Sequence, residues 1–179
     1  MVKSMIAHQQ QSVHHMLPVW SLMANEGWCM TGYHAVTVLA DALVKGADID
    51  RDAAMKAMVE TATCPYYESL GDYMRLGYAP FDKNGTAASN TLEYSFDDWT
   101  IYSAAKHLGM EDIARLFEKR ALYYRNTFDK SIGFANARYS DGSFKKDLDP
   151  YQTSGEGFIE GNSWNFSFQA PQDVDGLIS

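Results

Sequence analysis

A chain of 179 residues, 46% hydrophobic and 13% aromatic, is long enough to bury a core and too apolar to be disordered throughout. Its net charge of −8, with no cluster of lysine or arginine, excludes nucleic acid and an anionic membrane surface as the main partner. Cys29 and Cys64 cannot build a disulfide framework and, lacking C-x-x-C partners, offer no structural zinc site.

No apolar run approaches the roughly 20 residues of a membrane span, and "MVKSMIAHQQ" lacks the apolar core of a secretory signal, so the chain itself carries no address. Asn84-Gly85-Thr86 and Asn165-Phe166-Ser167 fit the N-glycosylation pattern, a tripeptide that also arises by chance. The 11 Tyr, 9 Phe and 4 Trp offer flat apolar faces with polar edges, on which sugar rings stack and cores pack alike.

In chain order, the spacing of Met5, Ile6, Val13 and Met16 predicts a helix over 3–16, interrupted by Pro18 and starting without a preceding cap. Val36, Leu39, Ala40 and Leu43 predict a second helix over 34–45, closed by Gly46. Asp50 or Asp52 then opens "AAMKAMVETA", which Pro65 closes. Trp99, Tyr102, Ala105 and Leu108 run to Gly109; after a two-residue link, Ile113, Leu116, Phe117, Tyr124 and Phe128 form the next amphipathic face. Helix, glycine, short acidic link and helix thus occur twice, the pattern of αα-hairpins. The predicted fold class is all-α: antiparallel helix pairs of a helical array or α/α toroid. Strand signal is sparse, the exception being "GFANARYSDGSF", where Asp141-Gly142 predicts a small hairpin. It lies in an irregular stretch near 130–155, whose Phe134, Tyr139, Phe144 and Tyr151 argue for order.

Three segments concentrate polar groups among aromatics: "WSLMANEGWCMTGYHAV" (20–36), "LEYSFDDW" (92–99) and "GEGFIEGNSWNF" (155–166). In a toroid, segments leading into successive inner helices can converge at one end. The last places Glu160 among Phe158, Ile159, Trp164 and Phe166; a carboxyl so enclosed loses hydration, which favours the protonated form that a general acid needs. The alternative is a carboxylate capping backbone N–H groups near Gly161 and Asn162. Asn25 and Glu26 suit a turn before a helix start as well as a site. Asp97 and Asp98 suit N-caps of the helix containing Trp99. His34, near a helix start, suits a hydrogen-bonded structural role more readily than that of a base or ligand. The adjacent His14 and His15 face different directions on a helix and form no two-histidine metal face. No H-E-x-x-H, G-x-S-x-G, P-loop or dinucleotide fingerprint occurs, which leaves carboxylate chemistry in an aromatic-lined funnel, the profile of a glycoside hydrolase.

The order of "HHMLPVWSLMANEGWCMTGYHAVTVLADALVKG", "TLEYSFDDW", "DGSF", "GFIEGNSWNF" and "PQDVDGLI" resembles glycoside hydrolase family 92, the calcium-dependent exo-acting α-mannosidases, over essentially all 179 residues. The resemblance implies a segment of an (α/α)6 catalytic domain within a longer protein that has an upstream β-sandwich. It implies inverting release of mannose from glycans, with Ca²⁺ holding hydroxyls of the terminal sugar. It maps the general acid of the family's E-G-N-[SA]-W-Q motif onto Glu160, with Asn25, Glu26, Asp98, Trp99, Asn162, Trp164 and Asn165 as substrate-binding or supporting candidates. The family's G-D-D-x-x-G-Q-M-S-A-W-like base motif and H-x-x-G-N-E-P-like sugar-binding motif lie downstream, and its D-T-W-R-like motif upstream, of what this sequence contains. The expectation is therefore a piece that keeps the acid, lacks the base and is inactive alone, with calcium ligands largely elsewhere. Two departures stand inside the match: Asn165 replaces the usual Gln after the motif tryptophan, and Gln172 replaces His in P-H-D-V. The family implies a periplasmic, cell-surface or secreted location. The competing reading is a non-catalytic helical carbohydrate-binding or protein-interaction module. Partners on the first reading are mannose-containing glycans and the rest of the polypeptide, with self-association through a cut surface that exposes Met5, Ile6, Val13, Val174, Leu177 and Ile178.

Overall fold

Asp50 shows how this sequence starts a helix: its carboxylate accepts the Ala53 N–H at 2.9 Å and satisfies a backbone donor that would otherwise lack a partner. The computed structural model, which describes residues 1–23 and 25–179, is mostly helical. Helix α1 (Val2–Gln11) leads to a two-residue hairpin of β1 (Ser21–Leu22) and β2 (Asn25–Glu26), with Ser21 opposite Glu26. Then come α2 (Ala35–Val44), α3 (Arg51–Ala62), α4 (Leu70–Leu76), α5 (Ala87–Leu108) and α6 (Glu111–Ala121). A 3-10 turn (Tyr123–Thr127) follows, then an antiparallel pair of β3 (Phe128–Asp129) and β4 (Phe134–Ala135), and the short helices α7 (Ser163–Phe166) and α8 (Val174–Ile178).

The core is built around α5, which packs on α2, α3 and α6. Gly109 ends α5 in the left-handed conformation (φ +72°), and the two-residue link turns the chain back so that α6 lies antiparallel on it. Acidic Glu111 and Asp112 open α6 and basic Lys119 and Arg120 close it, matching the helix dipole. Val36, Leu39, Met55, Met58, Tyr73, Ile101 and Phe117 form the main core. Each such side chain, fully buried, contributes about 1.5–3 kcal/mol. A smaller cluster of Leu92, Tyr124, Phe158 and Ala170 joins α5 to the C-terminal third.

Several sequence expectations are corrected in detail. The first helix stops at Gln11, because Met16 and Leu17 run across the core and the Leu17 N–H donates to Thr61 Oγ at 2.8 Å. Ile6 is buried and Met5 partly so, packed on the core, whereas Val13, Val174 and Ile178 are exposed as expected. The amphipathic face read through Phe128 breaks after Ala121 into the 3-10 turn, and Leu116 is exposed. The Asp141-Gly142 turn forms, with Gly142 at φ +89° and one bridge pairing Arg138 with Phe144. The stretch around it is ordered by Arg138, which lies over the rings of Tyr78 and Phe144, and by a Lys145–Glu156 ion pair at 2.8 Å.

The largest correction concerns α5, which begins at Ala87 rather than just before Trp99. Asp97 and Asp98 are consequently mid-helix and fully buried, not N-caps. Asp98 Oδ1 accepts the Tyr33 hydroxyl at 2.7 Å, and its Oδ2 accepts the Tyr73 hydroxyl at 2.7 Å and Arg120 Nε at 2.9 Å. The buried Arg120 also donates to the Ala62 carbonyl at 2.8 Å, so one ion pair ties α3, α5 and α6 together. Burial pushes the Asp98 carboxyl up against the opposing pull of Arg120.

Candidate active site

The N-terminus of α5 fixes the loop that carries Glu160. The Gly157 carbonyl accepts the N–H groups of Ala88 (3.0 Å) and Ser89 (3.3 Å), and Ser89 Oγ accepts the Ile159 N–H at 3.1 Å. The flanking glycines are required by space: a Cβ on Gly157 would stand 2.7 Å from Ala137 Cβ, and one on Gly161 would stand 2.8 Å from the Phe166 ring. Between them Glu160 adopts φ +50°, a left-handed conformation that costs a non-glycine residue on the order of 1–3 kcal/mol and persists only when its surroundings impose it.

The carboxyl of Glu160 is exposed, so the enclosure expected from its apolar neighbours is absent. Phe158 turns into the core at 5% exposure and packs on Phe166, while Trp164 stacks on Tyr151 with ring centroids 5.7 Å apart. Nor is Glu160 the cap of the following helix. That role belongs to Asn162, whose Oδ1 accepts the Asn165 N–H at 3.0 Å while its Nδ2 donates to the Tyr151 carbonyl at 3.2 Å.

Glu160 and Ile159 line a pocket of about 400 Å³ together with Trp20, Met30, Thr31 and His34 from the first polar-aromatic segment, the adjoining Val19, and Glu93 from the second. The three segments singled out in the sequence therefore converge. Glu26 shapes one wall: its carboxylate accepts the N–H groups of Val19 and Trp20 at 2.8 Å and of Trp28 at 3.0 Å. Partial burial raises its proton affinity, but these backbone donors outweigh burial and hold the carboxyl below its ordinary value. Tyr67 braces the next stretch by donating to the Met30 and Gly32 carbonyls.

His34 lies between two carboxylates of α5. Its Nδ1 is 2.8 Å from Asp97 Oδ1 and its Nε2 is 3.5 Å from Glu93 Oε2. Asp97 is fully buried and held by the Tyr33 N–H at 2.8 Å and the Thr37 hydroxyl at 3.2 Å. Desolvation works against a charged imidazole, yet the two carboxylates prevail and raise the His34 pKa to about 10. Gly32, at φ +76°, leaves the room this ring occupies, since a Cβ there would meet His34 Nε2 at 2.6 Å.

Of the predicted site residues, Glu160 lines the pocket and Glu26 supports it. Asn25 is exposed in β2, donating to the Met23 carbonyl at 3.3 Å. Asp98 is sealed in the core with its acceptors engaged, a supporting group and not a substrate contact. Trp99 stacks on Phe96 at the surface, and Asn165 is exposed. Trp164 lines a different, larger cavity of about 750 Å³ with Phe134, Phe168 and Ile178. Sequence reasoning passed over Trp20 and Glu93 and favoured a structural role for His34 over that of a base or ligand. The available signal was the four-residue spacing of Glu93 and Asp97, which puts both carboxylates on one helix face.

The model of the glycosyl hydrolase family 92 catalytic domain matches residues 1–179, the whole of the chain. The chain belongs to glycosyl hydrolase family 92. Among solved structures of family 92, an alpha-mannosidase from Bacteroides thetaiotaomicron is 42% identical, with a TM-score of 0.95 over 99% of this chain and 24% of its own. That enzyme has also been solved in complex with mannoimidazole. An inverting mannosidase from Bacteroides thetaiotaomicron VPI-5482 is 30% identical, with a TM-score of 0.89 over 98% of this chain and 24% of its own. An uncharacterized secreted glycosidase of Arthroderma benhamiae is 27% identical over 91% of this chain and 26% of its own. This family 92 chain thus spans about a quarter of the length of the relatives it matches.

The calcium that the family resemblance implies finds no cage here. Among the described residues no three His, Cys, Asp or Glu side chains converge to hold a metal ion, whereas Ca²⁺ takes about six to eight oxygen ligands. Among the described residues no helix is long and apolar enough to cross a membrane.

Proposed function

We propose that residues 1–179 are the part of an inverting exo-acting α-mannosidase that carries the proton donor, Glu160. The observation that carries this reading is the convergence of three separate segments on one pocket, with Glu160 held there in a left-handed backbone conformation. In this reading the Glu160 carboxylic acid protonates the glycosidic oxygen as the bond to the anomeric carbon breaks, leaving Glu160 as the carboxylate. In the same displacement a water attacks the anomeric carbon from the opposite face, giving its proton to a second carboxylate roughly 6.5–9.5 Å from the first. That base is assigned to the polypeptide outside 1–179, as are the oxygens that hold Ca²⁺. Trp20 offers an aromatic face to the sugar ring, and terminal mannosides of glycans are the substrates. The secreted relative supports a location outside the cytoplasm.

The test uses the full-length protein. Glu160→Gln keeps the side-chain shape but removes the proton, so turnover should fall about 10²–10⁴-fold for a mannoside with a poor leaving group. An activated aryl mannoside, whose leaving group departs as an anion, should be affected far less. Equal losses on both would show that Glu160 positions the sugar instead. The 179-residue chain alone, without a base, should turn over neither substrate; clear turnover would place the base inside it. Binding of glycans by the full-length protein with no hydrolysis of either mannoside would favour the non-catalytic module.

A further inference from the structure

Glu93 poses a question that proton donation by Glu160 does not answer. Its side chain is only 13% exposed, its Oε2 has no hydrogen-bond partner among the described residues, and yet it borders the pocket. A carboxylate with an oxygen left unpaired is costly, so its place beside the pocket calls for a partner that arrives from there. The nearest cation, His34 Nε2, stands 3.5 Å away, beyond the roughly 2.7–3.2 Å of an N–H···O bond. The pair therefore attracts without consuming each other's hydrogen-bonding capacity. His34 Nδ1 is already committed to Asp97, which leaves Nε2 as the ring atom free to act, and the His34 side chain is 52% exposed. Asp97, itself held by Tyr33 and Thr37, fixes the ring, and Glu93 is carried on α5, so an acceptor and a donor stand side by side before any ligand binds.

We infer that Glu93 and His34 form a clamp for a vicinal diol of a pyranose: the Glu93 carboxylate accepts the proton of one hydroxyl, and His34 Nε2–H donates to the oxygen of its neighbour. The flanking carboxylates that keep the imidazole protonated also keep Nε2 a donor. Both residues are positioning and specificity groups that touch the sugar away from the bond being cleaved. The inference rests on the mannosidase reading for the choice of sugar, and on the pocket geometry for the clamp itself.

Two experiments test it and separate its failure from failure of that reading. In the 179-residue chain, the imidazole Hε1 resonance of His34 is followed by NMR during titration with methyl α-mannoside and its mono-deoxy analogues. The parent sugar should shift the resonance, and two analogues lacking adjacent hydroxyls should not. Equal shifts with every analogue, or none with the parent sugar, overturn the clamp. In the full-length enzyme, loss of one clamped hydroxyl should lower kcat/KM by about 100-fold or more, because the site's polar groups are then left unpaired. In Glu93→Leu that penalty should shrink to about threefold or less for the same analogue while the other analogues keep theirs, a selective change that general misfolding would not produce. Glu93→Gln, which preserves shape, should retain part of the discrimination and serves where the leucine variant does not fold. Unchanged penalties in both variants overturn the clamp with mannosidase activity intact. Absence of mannoside hydrolysis alongside the selective His34 shift would instead overturn the mannosidase reading and leave the clamp standing.

Discussion

Replacing Asp98 separates a substrate role from a structural one. In Asp98→Ala the Arg120 guanidinium, whose side chain is 4% exposed, loses its counter-charge, and the Tyr33 and Tyr73 hydroxyls lose their 2.7 Å acceptors. Removing one partner of a buried ion pair costs about 3–5 kcal/mol, because the other charge is left in a poorly solvating interior. The stranded hydroxyls add to this, each by about 1 kcal/mol or more, though not additively. Against a whole-domain stability of about 5–15 kcal/mol, the variant should be marginally folded or unfolded. Asp98→Asn should fare little better: its amide presents a donor where Tyr33, Tyr73 and Arg120 Nε all donate already. Urea unfolding followed by far-UV circular dichroism measures the loss. A cost below about 1 kcal/mol for Asp98→Ala, with unchanged cooperativity, would refute the structural assignment and return Asp98 to the substrate candidates.

His34 should remain protonated through neutral pH and titrate near pH 10, read from its NMR shifts; a midpoint between 6 and 7 would contradict the two-carboxylate cradle. Since its folded pKa is raised above the ordinary 6.5, the stability it contributes is fully present below pH 6.5 and is lost as pH rises through about 10, a slope that His34→Gln should flatten. Gly32→Ala should displace the His34 ring and cost on the order of 1–3 kcal/mol, because it adds a Cβ 2.6 Å from Nε2 at a φ of +76°; equal urea midpoints for variant and wild type would show that the ring yields freely. The 750 Å³ cavity edged by Phe168 and Ile178, exposed at 70% and 79%, should drive the 179-residue chain to self-associate, which sedimentation at rising concentration would detect; a monomer at every concentration would count against it.

The helix pairs were legible where apolar spacing marks one face, as in α2, where Val36, Leu39, Ala40 and Leu43 are all buried. The same rule failed on α5, since a helix at the centre of the molecule is surrounded on all sides and has no solvent face to contrast with its core face. Its buried set includes Ser89, Asn90, Thr91, Ser95, Asp97, Asp98 and Thr100. Some of these spend their hydroxyls locally: Thr91 Oγ donates to the Ala87 carbonyl at 2.9 Å and Ser95 Oγ to that of Thr91 at 2.7 Å. Others meet partners 60 or more residues away, as Asp97 meets His34, and no local pattern encodes such a meeting. The site followed the same division. Convergence of the three segments was legible from their shared composition, whereas the pairing of Glu93 with His34 depended on where α5 begins.

The same geometry separates the placement of Glu160 from the enclosure that its apolar neighbours lead one to expect. The sequence argument placed its carboxyl among apolar side chains, but in the folded chain Phe158 and Phe166 pack on each other and Glu160 is left exposed. What the apolar residues do instead is hold the loop: Phe158 anchors it in the core, Ser89 pins Ile159, and the crowding at Gly157 and Gly161 forces the turn that sets Glu160 at φ +50°. The 1–179 segment therefore supplies the position of the carboxyl and not its surroundings. A proton donor needs both, because the proton must be aimed at the leaving oxygen and passed to it away from competing water. Under the proposed function, whatever closes over this pocket, whether bound sugar or polypeptide outside the segment, must provide the water-poor environment. Position and enclosure would then be set by different parts of one enzyme, and acid catalysis would be assembled only when the pocket is covered.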